Sequence, residues 1–230
     1  MLLLGFSYFE GVHDLEKDKA TAVMWLQRAV AAGDQPDALV ILGHTYLHGH
    51  RGVDKDVTLV VKYLEKAADL GLPDAQNLLG MMYREGREGV VQDVELGLKW
   101  LEKSAEQGDV DAQAYIGSHY YETEEYEKSL LYWEKSAAQG CTNAQLGLGI
   151  YYCDGLGVER NPETSLDFFL EAAEGGSELA LQFRETAMQA LFQHAVSLTD
   201  ALIANRPESL RQIQKLADLG HGPAEHMLGK

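Results

Sequence analysis

The chain has 230 residues, 46% of them hydrophobic, which is enough to bury a substantial core. Its 36 acidic and 19 basic residues give a formal net charge of −17. This balance argues against nucleic-acid binding, which needs clustered Lys and Arg on the protein. It is compatible with a basic partner, and equally with a surface whose charge serves only solubility.

The first helix of each predicted pair carries a Gly followed three residues later by a Tyr. The pairs are Gly5/Tyr8, Gly43/Tyr46, Gly80/Tyr83, Gly117/Tyr120 and Gly149/Tyr152. An Ala lies five residues before the internal glycines, at Ala38, Ala75, Ala112 and Ala144. Because two helices approach closely only where one side chain is nearly absent, we predict a glycine seam between the helices of each pair.

The second helix of each pair carries an aromatic residue eight positions before a Gly. The aromatics are Trp25, Tyr63, Trp100, Tyr132 and Phe168, and the glycines are Gly33, Gly71, Gly108, Gly140 and Gly176. We predict that the aromatic fills the space beside the glycine of the first helix. The terminal Gly is predicted to stop the helix in the left-handed conformation.

A glycine-containing loop joins the two helices of most pairs, at residues 49–56, 86–93 and 155–161. Its last residue is Asp56, Asp93 or Asn161, which are natural N-caps, and Pro162 suits the first helical position. The Val within the loop can plug the gap between the helices. The fourth pair has lost this loop and keeps only residues 123–125.

These features recur every 32 to 38 residues, as the spacing of the terminal glycines shows, and together they resemble the Sel1-like repeat family, a relative of tetratricopeptide repeats. The resemblance covers nearly the whole chain. It implies an all-α fold, a right-handed α-solenoid of antiparallel helix pairs forming one domain over residues 1–230. The predicted units are 1–33, 34–71, 72–108, 109–140, 141–176, an atypical 177–220 and a partial 221–230.

The sixth unit departs from the pattern, because residues 177–204 contain neither Gly nor Pro. Apolar residues recur there every three to four positions, which predicts one long helix or two nearly continuous ones. A new helix is expected to open at Pro207. The irregularity is compatible with a bend in the superhelix, a dimer surface or drift near a domain end.

Few residues in the chain suggest chemistry. His44 and His48 lie one helical turn apart, a spacing that can hold a metal, but no third ligand follows, so exposed polar positions are favoured. The Gly-Leu-Gly stretches at 147–149 and 155–157 are explained by the repeat register rather than by a phosphate loop. No nucleophile, acid and base stand in a recognisable arrangement, and we expect neither an enzyme nor a bound metal or cofactor.

The resemblance implies that a partner binds the concave side, which is formed by the first helices. The positions three before, one after and four after the seam glycine point away from the seam. They are Val40, His44 and Leu47; Asn77, Met81 and Arg84; Ala114, Ser118 and Tyr121; and Leu146, Ile150 and Cys153. The alternative is that neighbouring helices already bury several of these side chains.

The expected function is therefore a non-catalytic scaffold or adaptor for a protein or peptide partner of basic or apolar character. Self-assembly through residues 177–204, giving a homo-oligomer, is the alternative, and an enzyme with a site in the groove is a further one. No apolar run approaches the 18 residues of a membrane span, so we expect no membrane insertion.

The two cysteines bear on the compartment. Cys141 and Cys153 lie at the two ends of one predicted helix, about 18 Å apart at 1.5 Å per residue, which is too far for a disulfide. This favours the cytoplasm. The chain opens inside a repeat, so the natural protein is expected to extend further, and a secreted, periplasmic or endoplasmic-reticulum location would then be open.

Overall fold

The computed structural model describes residues 1–12, 17–33, 35–50, 52–201 and 206–229, and these form helices and turns without a β-strand. The all-α prediction is confirmed. The chain divides into two compact units, Met1–Ile116 and Gly117–Lys230. None of the helices in the described ranges combines the length and the apolar character that crossing a bilayer requires.

The first unit is a stack of helix pairs in which each helix packs on the next. Its helices are α1 (Leu2–Glu10), α2 (Lys19–Ala32), α3 (Pro36–His48), α4 (Val57–Asp69), α5 (Pro73–Glu85), α6 (Val94–Glu106) and the beginning of α7 (Val110–Glu122). The buried face of these helices forms a continuous core that extends from Val23 to Met82.

In the second unit, too, helices that follow one another along the chain pack together. After the end of α7 it contains α8 (Tyr126–Ala137), α9 (Thr142–Asp154), α10 (Pro162–Glu174), α11 (Glu178–Ala201), α12 (Arg206–Asp218) and α13 (Gly222–Leu228). Both cysteines are free thiols, with Cys141 just before α9 and Cys153 near its end.

The glycine seam is confirmed, but the residue above each glycine differs from the prediction. A Cβ added to Gly43 would lie 2.8 Å from Leu64 Cδ2. In every pair the contacting residue follows the predicted aromatic by one position; the set is Leu26, Leu64, Leu101, Trp133 and Phe169. In three pairs the predicted aromatic stacks instead on the Tyr of the first helix, with ring centroids 5.9–6.0 Å apart; they are Tyr46–Tyr63, Tyr120–Tyr132 and Tyr152–Phe168.

The predicted helix ends are largely confirmed. The carboxylates of Asp56 and Asp93 each accept a 3.0 Å hydrogen bond from a backbone N–H in the first turn that they cap. The later stop glycines have left-handed φ values; they are Gly71, Gly108, Gly140 and Gly176. Gly33 is the exception at φ 156° and ψ 130°, where its N–H donates a hydrogen bond to Val30 O and closes a tight turn.

Buried polar side chains hold neighbouring helices together. The amides of Gln76 and Gln113 donate to the carbonyls of Ala68 and Ala105, at 2.9 Å and 3.1 Å. The Gln of the repeated Ala-Gln pair therefore satisfies a carbonyl at the end of the preceding helix, where helix carbonyls lack an internal partner. These glutamines are part of the fold rather than of a binding site.

The atypical region of the sixth unit is one continuous helix as far as it is described. Helix α11 covers Glu178–Ala201, while residues 202–204 of the predicted helix lie outside the described ranges. Its apolar stripe packs into the core formed with α10 and α12; the buried residues are Ala187, Met188, Leu191 and Ala195. Helix α12 begins at Arg206, next to the predicted opening at Pro207.

Candidate partner-binding surface

An open groove lies on the face formed by the first helices of the first unit. It has a volume of about 400 Å³. Its apolar lining consists of Leu2, Leu3, Phe6, Val40, Ile41 and Leu72. Two carboxylates, Asp37 and Asp74, complete it.

The helix register places these residues together. Leu2 and Phe6 are one turn apart on α1, and Val40 occupies on α3 the position that Leu2 occupies on α1. Asp37 and Asp74 are each the second residue of a helix that opens with Pro, where the helix dipole favours a negative charge. The groove therefore combines the apolar side of two helices with the acidic first turns of α3 and α5.

Several apolar side chains of this groove face solvent. Leu3 has 80% of its surface exposed and Phe6 has 46%. Contiguous exposed apolar patches mark interaction sites, whereas single exposed apolar residues are common on any protein surface. Val40 and Ile41 are half-buried and form the floor, since they also pack against the core of the unit.

Seven of the predicted residues belong to the first unit, and they differ in accessibility. Val40 lines the groove, and Leu47, Met81 and Arg84 are half-buried. Asn77 is buried, with 8% of its surface exposed, and its amide donates to Asp109 at 3.0 Å. Asn77 therefore contributes to packing rather than to an open surface.

His44 is exposed and stacks on His48, with ring centroids 6.2 Å apart. Although His44 is partly accessible, the protein around it desolvates the ring, and this desolvation, together with the charge of His48, lowers its pKa. The carboxylate of Asp74 opposes this change. The described residues contain no group of three His, Cys, Asp or Glu arranged to hold a metal ion.

The residues predicted for the second unit are more enclosed than expected. The ring of Tyr121 lies 5.5 Å from that of Trp133 and 5.7 Å from that of Tyr151, within an aromatic cluster. Leu146 and Ile150 pack against the core that contains Phe169. Ser118 and Cys153 are half-buried, and burial raises the pKa of the Cys153 thiol. Ala114, which the same register identified near the end of the first unit, is also buried.

A second, polar depression of about 580 Å³ lies in the second unit and is lined by Arg160, Glu163, His194 and Gln212 among others. Two of its three acids are paired: Glu163 with Arg211 at 2.9 Å and Lys215 at 3.5 Å, and Glu208 with Arg211 at 2.9 Å.

Of the residues that line the groove, only Val40 was predicted from the sequence; the others are Leu2, Leu3, Phe6, Asp37, Ile41, Leu72 and Asp74. For Leu2 and Phe6 the signal was available, since they lie three before and one after Gly5, and the same rule identified Val40 and His44. Leu72 has no such signal, because it precedes α5 and joins the groove through the turn between repeats.

Comparison with known families gives matches to the Sel1 repeat over five successive segments. They cover residues 1–34, 36–72, 73–109, 110–141 and 142–177. No curated protein matches the chain.

Two of the solved structures that resemble the chain match it over nearly its whole length. A protective antigen of uropathogenic Escherichia coli, described as displaying an SLR fold, is 30% identical with a TM-score of 0.73. That match covers 99% of this chain and 55% of the antigen, so the chain spans about half the antigen's length. A Sel1 repeat protein from Oxalobacter formigenes is 28% identical with a TM-score of 0.65, covering 94% of this chain and 86% of that one.

Proposed function

Because the chain belongs to the Sel1 repeat family, we propose that it is a non-catalytic scaffold that binds a partner protein through the groove of its first unit. Members of this family generally act as protein-interaction scaffolds. The groove lies on the first-helix face, which is the concave side implied by the family fold. A protein or peptide segment is the class of ligand that such a face accommodates.

The observation that carries the proposal is the exposed apolar lining of the groove. Phe6 and Leu3 leave a large apolar area in water, and covering it with a partner would contribute about 25 cal/mol for each Å² buried. Large aromatic and aliphatic side chains in a depression are the usual anchors of protein interfaces. The acidic excess of the chain, −17, favours partners of the opposite charge.

The self-assembly alternative has less support from the long helix. The apolar stripe of α11 packs on α10 and α12, which buries Met188 and Leu191 and leaves Phe183 and Phe192 half-buried. Leu179 and Leu181 are 47% exposed and lie near the beginning of the helix.

The test compares partner capture by two charge-insertion variants of the purified chain. Phe6→Glu places a carboxylate in the groove at a side chain that is 46% exposed. Leu131→Glu places the same carboxylate on α8, at a side chain that is 50% exposed and outside the groove. Both variants should keep their helical content in circular dichroism, since neither side chain is part of a buried core.

The expected result is that proteins captured from the host lysate by wild type are retained by Leu131→Glu and lost by Phe6→Glu. Equal capture by all three forms would remove the groove from the proposal. Loss of capture by both variants would indicate that the added negative charge, rather than its position in the groove, prevents partner binding. Tyr121 is unsuitable for this experiment, because a change there would disrupt the ring cluster around Trp133.

A further inference from the structure

We propose that the groove of the first unit recognises an extended partner segment in which a large apolar side chain lies beside a Lys or Arg. The apolar side chain would enter between Phe6 and Val40, and the cation would lie against Asp37 and Asp74. The proposal rests on the proposed function and adds the chemistry of the bound segment.

The apolar half of the specificity follows from the lining. Val40 and Ile41 are half-buried and form a floor, while Phe6 and Leu3 form an exposed wall. A volume of about 400 Å³ accommodates one or two large side chains, but not a folded domain. An extended segment can deliver such side chains one at a time, since alternate residues point to opposite sides.

The cationic half follows from the two carboxylates. Asp37 and Asp74 line the same groove, and no ion pair between described residues involves either of them. Each acid lies at a helix N-terminus, where the helix dipole favours a negative charge. Both acids also lie at the edge of the apolar groove.

The charge of the chain argues against two other occupants of the groove. A second copy would also carry a net charge of −17 and would bring further acid to Asp37 and Asp74. An acidic peptide would meet the same repulsion, since like charges brought together at an interface oppose binding. A segment with Lys or Arg beside its apolar anchor satisfies both halves of the groove.

The first experiment selects ligands without assuming a sequence. A library of random dodecapeptides displayed on phage is panned against the whole chain, and enriched peptides are sequenced. We expect an apolar residue with Lys or Arg within two positions. The same selection against an Asp37→Lys/Asp74→Lys variant should replace Lys and Arg in the enriched peptides by Asp and Glu, which a merely structural role of these acids would not produce.

The second experiment measures dissociation constants for one enriched synthetic peptide by fluorescence anisotropy. Asp37→Asn/Asp74→Asn should weaken binding about fivefold to tenfold, as expected for two partly exposed charge pairs. Asp111→Asn is the matched control, because Asp111 lies in the first turn of α7 but does not line the groove. It should leave the affinity unchanged. Circular dichroism verifies that each variant is folded.

The outcomes separate this inference from the proposed function. One outcome is that peptides lose binding to Phe6→Glu but bind Asp37→Asn/Asp74→Asn as tightly as wild type. This result would overturn the cationic specificity and keep the groove as the binding site. Peptides insensitive to Phe6→Glu would overturn both. A library that yields no enrichment would overturn the extended-segment ligand. A concentration-dependent mass that Phe6→Glu abolishes would assign the groove to a second copy.

Discussion

Asp109 joins two repeats of the first unit through a single carboxylate oxygen. Its Oδ1 accepts from the backbone N–H of Ala112 at 2.7 Å, which caps α7, and from the side-chain amide of Asn77 at 3.0 Å. Asn77 Oδ1 is buried and has no hydrogen-bond partner. The Asp109 carboxylate is therefore the hydrogen-bond acceptor on which the buried Asn77 depends.

Replacing Asp109 by Asn and by Ala separates the hydrogen bonds from the charge. Burial raises the pKa of the Asp109 carboxyl above its ordinary 3.8, so the folded protein holds this proton more tightly than the unfolded chain. The stability that protonation provides is present below about pH 4 and is lost as the pH rises through the folded pKa. At pH 7, Asp109→Asn should keep both hydrogen bonds and remove a desolvated charge, so its free energy of unfolding should equal or exceed that of wild type.

Asp109→Ala should lose about 2 kcal/mol, because it removes the cap and leaves the Asn77 amide without its acceptor. Urea unfolding at neutral pH and near pH 4 gives the three free energies, and any advantage of the Asn variant should shrink in acid. An Asn variant that is clearly less stable than wild type at neutral pH would show that the charge itself stabilises α7.

Helices α5 and α6 approach each other through glycines on both sides of their contact. A Cβ on Gly80 would lie 2.9 Å from the carbonyl oxygen of Gly97, and one on Gly97 would lie 2.6 Å from the backbone nitrogen of Arg84. Backbone atoms cannot move aside as the end of a side chain can. The pair is therefore closed by backbone contact, whereas the α3–α4 pair is closed by the side chain of Leu64 on Gly43.

Alanine substitutions at Gly80, Gly97 and Gly43 test this difference between elements. Gly80→Ala and Gly97→Ala should each lower the free energy of unfolding by about 1–3 kcal/mol through overpacking. Gly43→Ala meets only the flexible Leu64 side chain and gains about 1 kcal/mol of helix propensity, so it should be close to neutral. Thermal and urea unfolding measure all three. Equal losses at the three sites would mean that α5 and α6 adjust as easily as α3 and α4.

The elements themselves were predictable, because their determinants are local and periodic. Asp93 caps α6 where the loop pattern placed a cap, and Gly80 lies in the seam because the register repeats. Which residue covers the glycine was not predictable, because it depends on how far one helix slides along the other. The same limit applies to Ser129 and Ser165, whose hydroxyls donate to the carbonyls of Gly117 and Gly149 at 2.7 Å and 2.8 Å.

The candidate groove was predictable only in part for the same reason. Val40 followed from its position relative to Gly43, but the side chains that complete the groove come from α1 and from the turn before α5. In the second unit the same register predicted an open Tyr121, whereas the ring is enclosed by Trp133 and Tyr151. Register identifies the face of a helix, and the size of neighbouring side chains decides whether that face is open.

At the scale of the whole molecule, the net charge of −17 opposes folding, because compaction brings 36 acidic side chains closer together. Ion pairs such as Lys99–Glu95, at 2.9 Å, act in the opposite direction. Exposed pairs of this kind contribute only about 0.2–1 kcal/mol each, and salt weakens them. With nearly twice as many acids as bases, the repulsion outweighs the pairs, and screening should stabilise the chain.

Raising NaCl from about 20 mM to about 200 mM should therefore raise the melting temperature by about 2–4 °C, which for a chain of this size corresponds to about 1 kcal/mol. The control is the same titration near pH 4.8, the isoelectric point, where the net charge vanishes and the increase should largely disappear. Binding of a cationic segment to Asp37 and Asp74 should respond with the opposite sign, because the same salt screens an attraction there. A melting temperature that falls with salt at neutral pH would mean that the ion pairs, rather than the acidic excess, dominate the electrostatics of the folded chain.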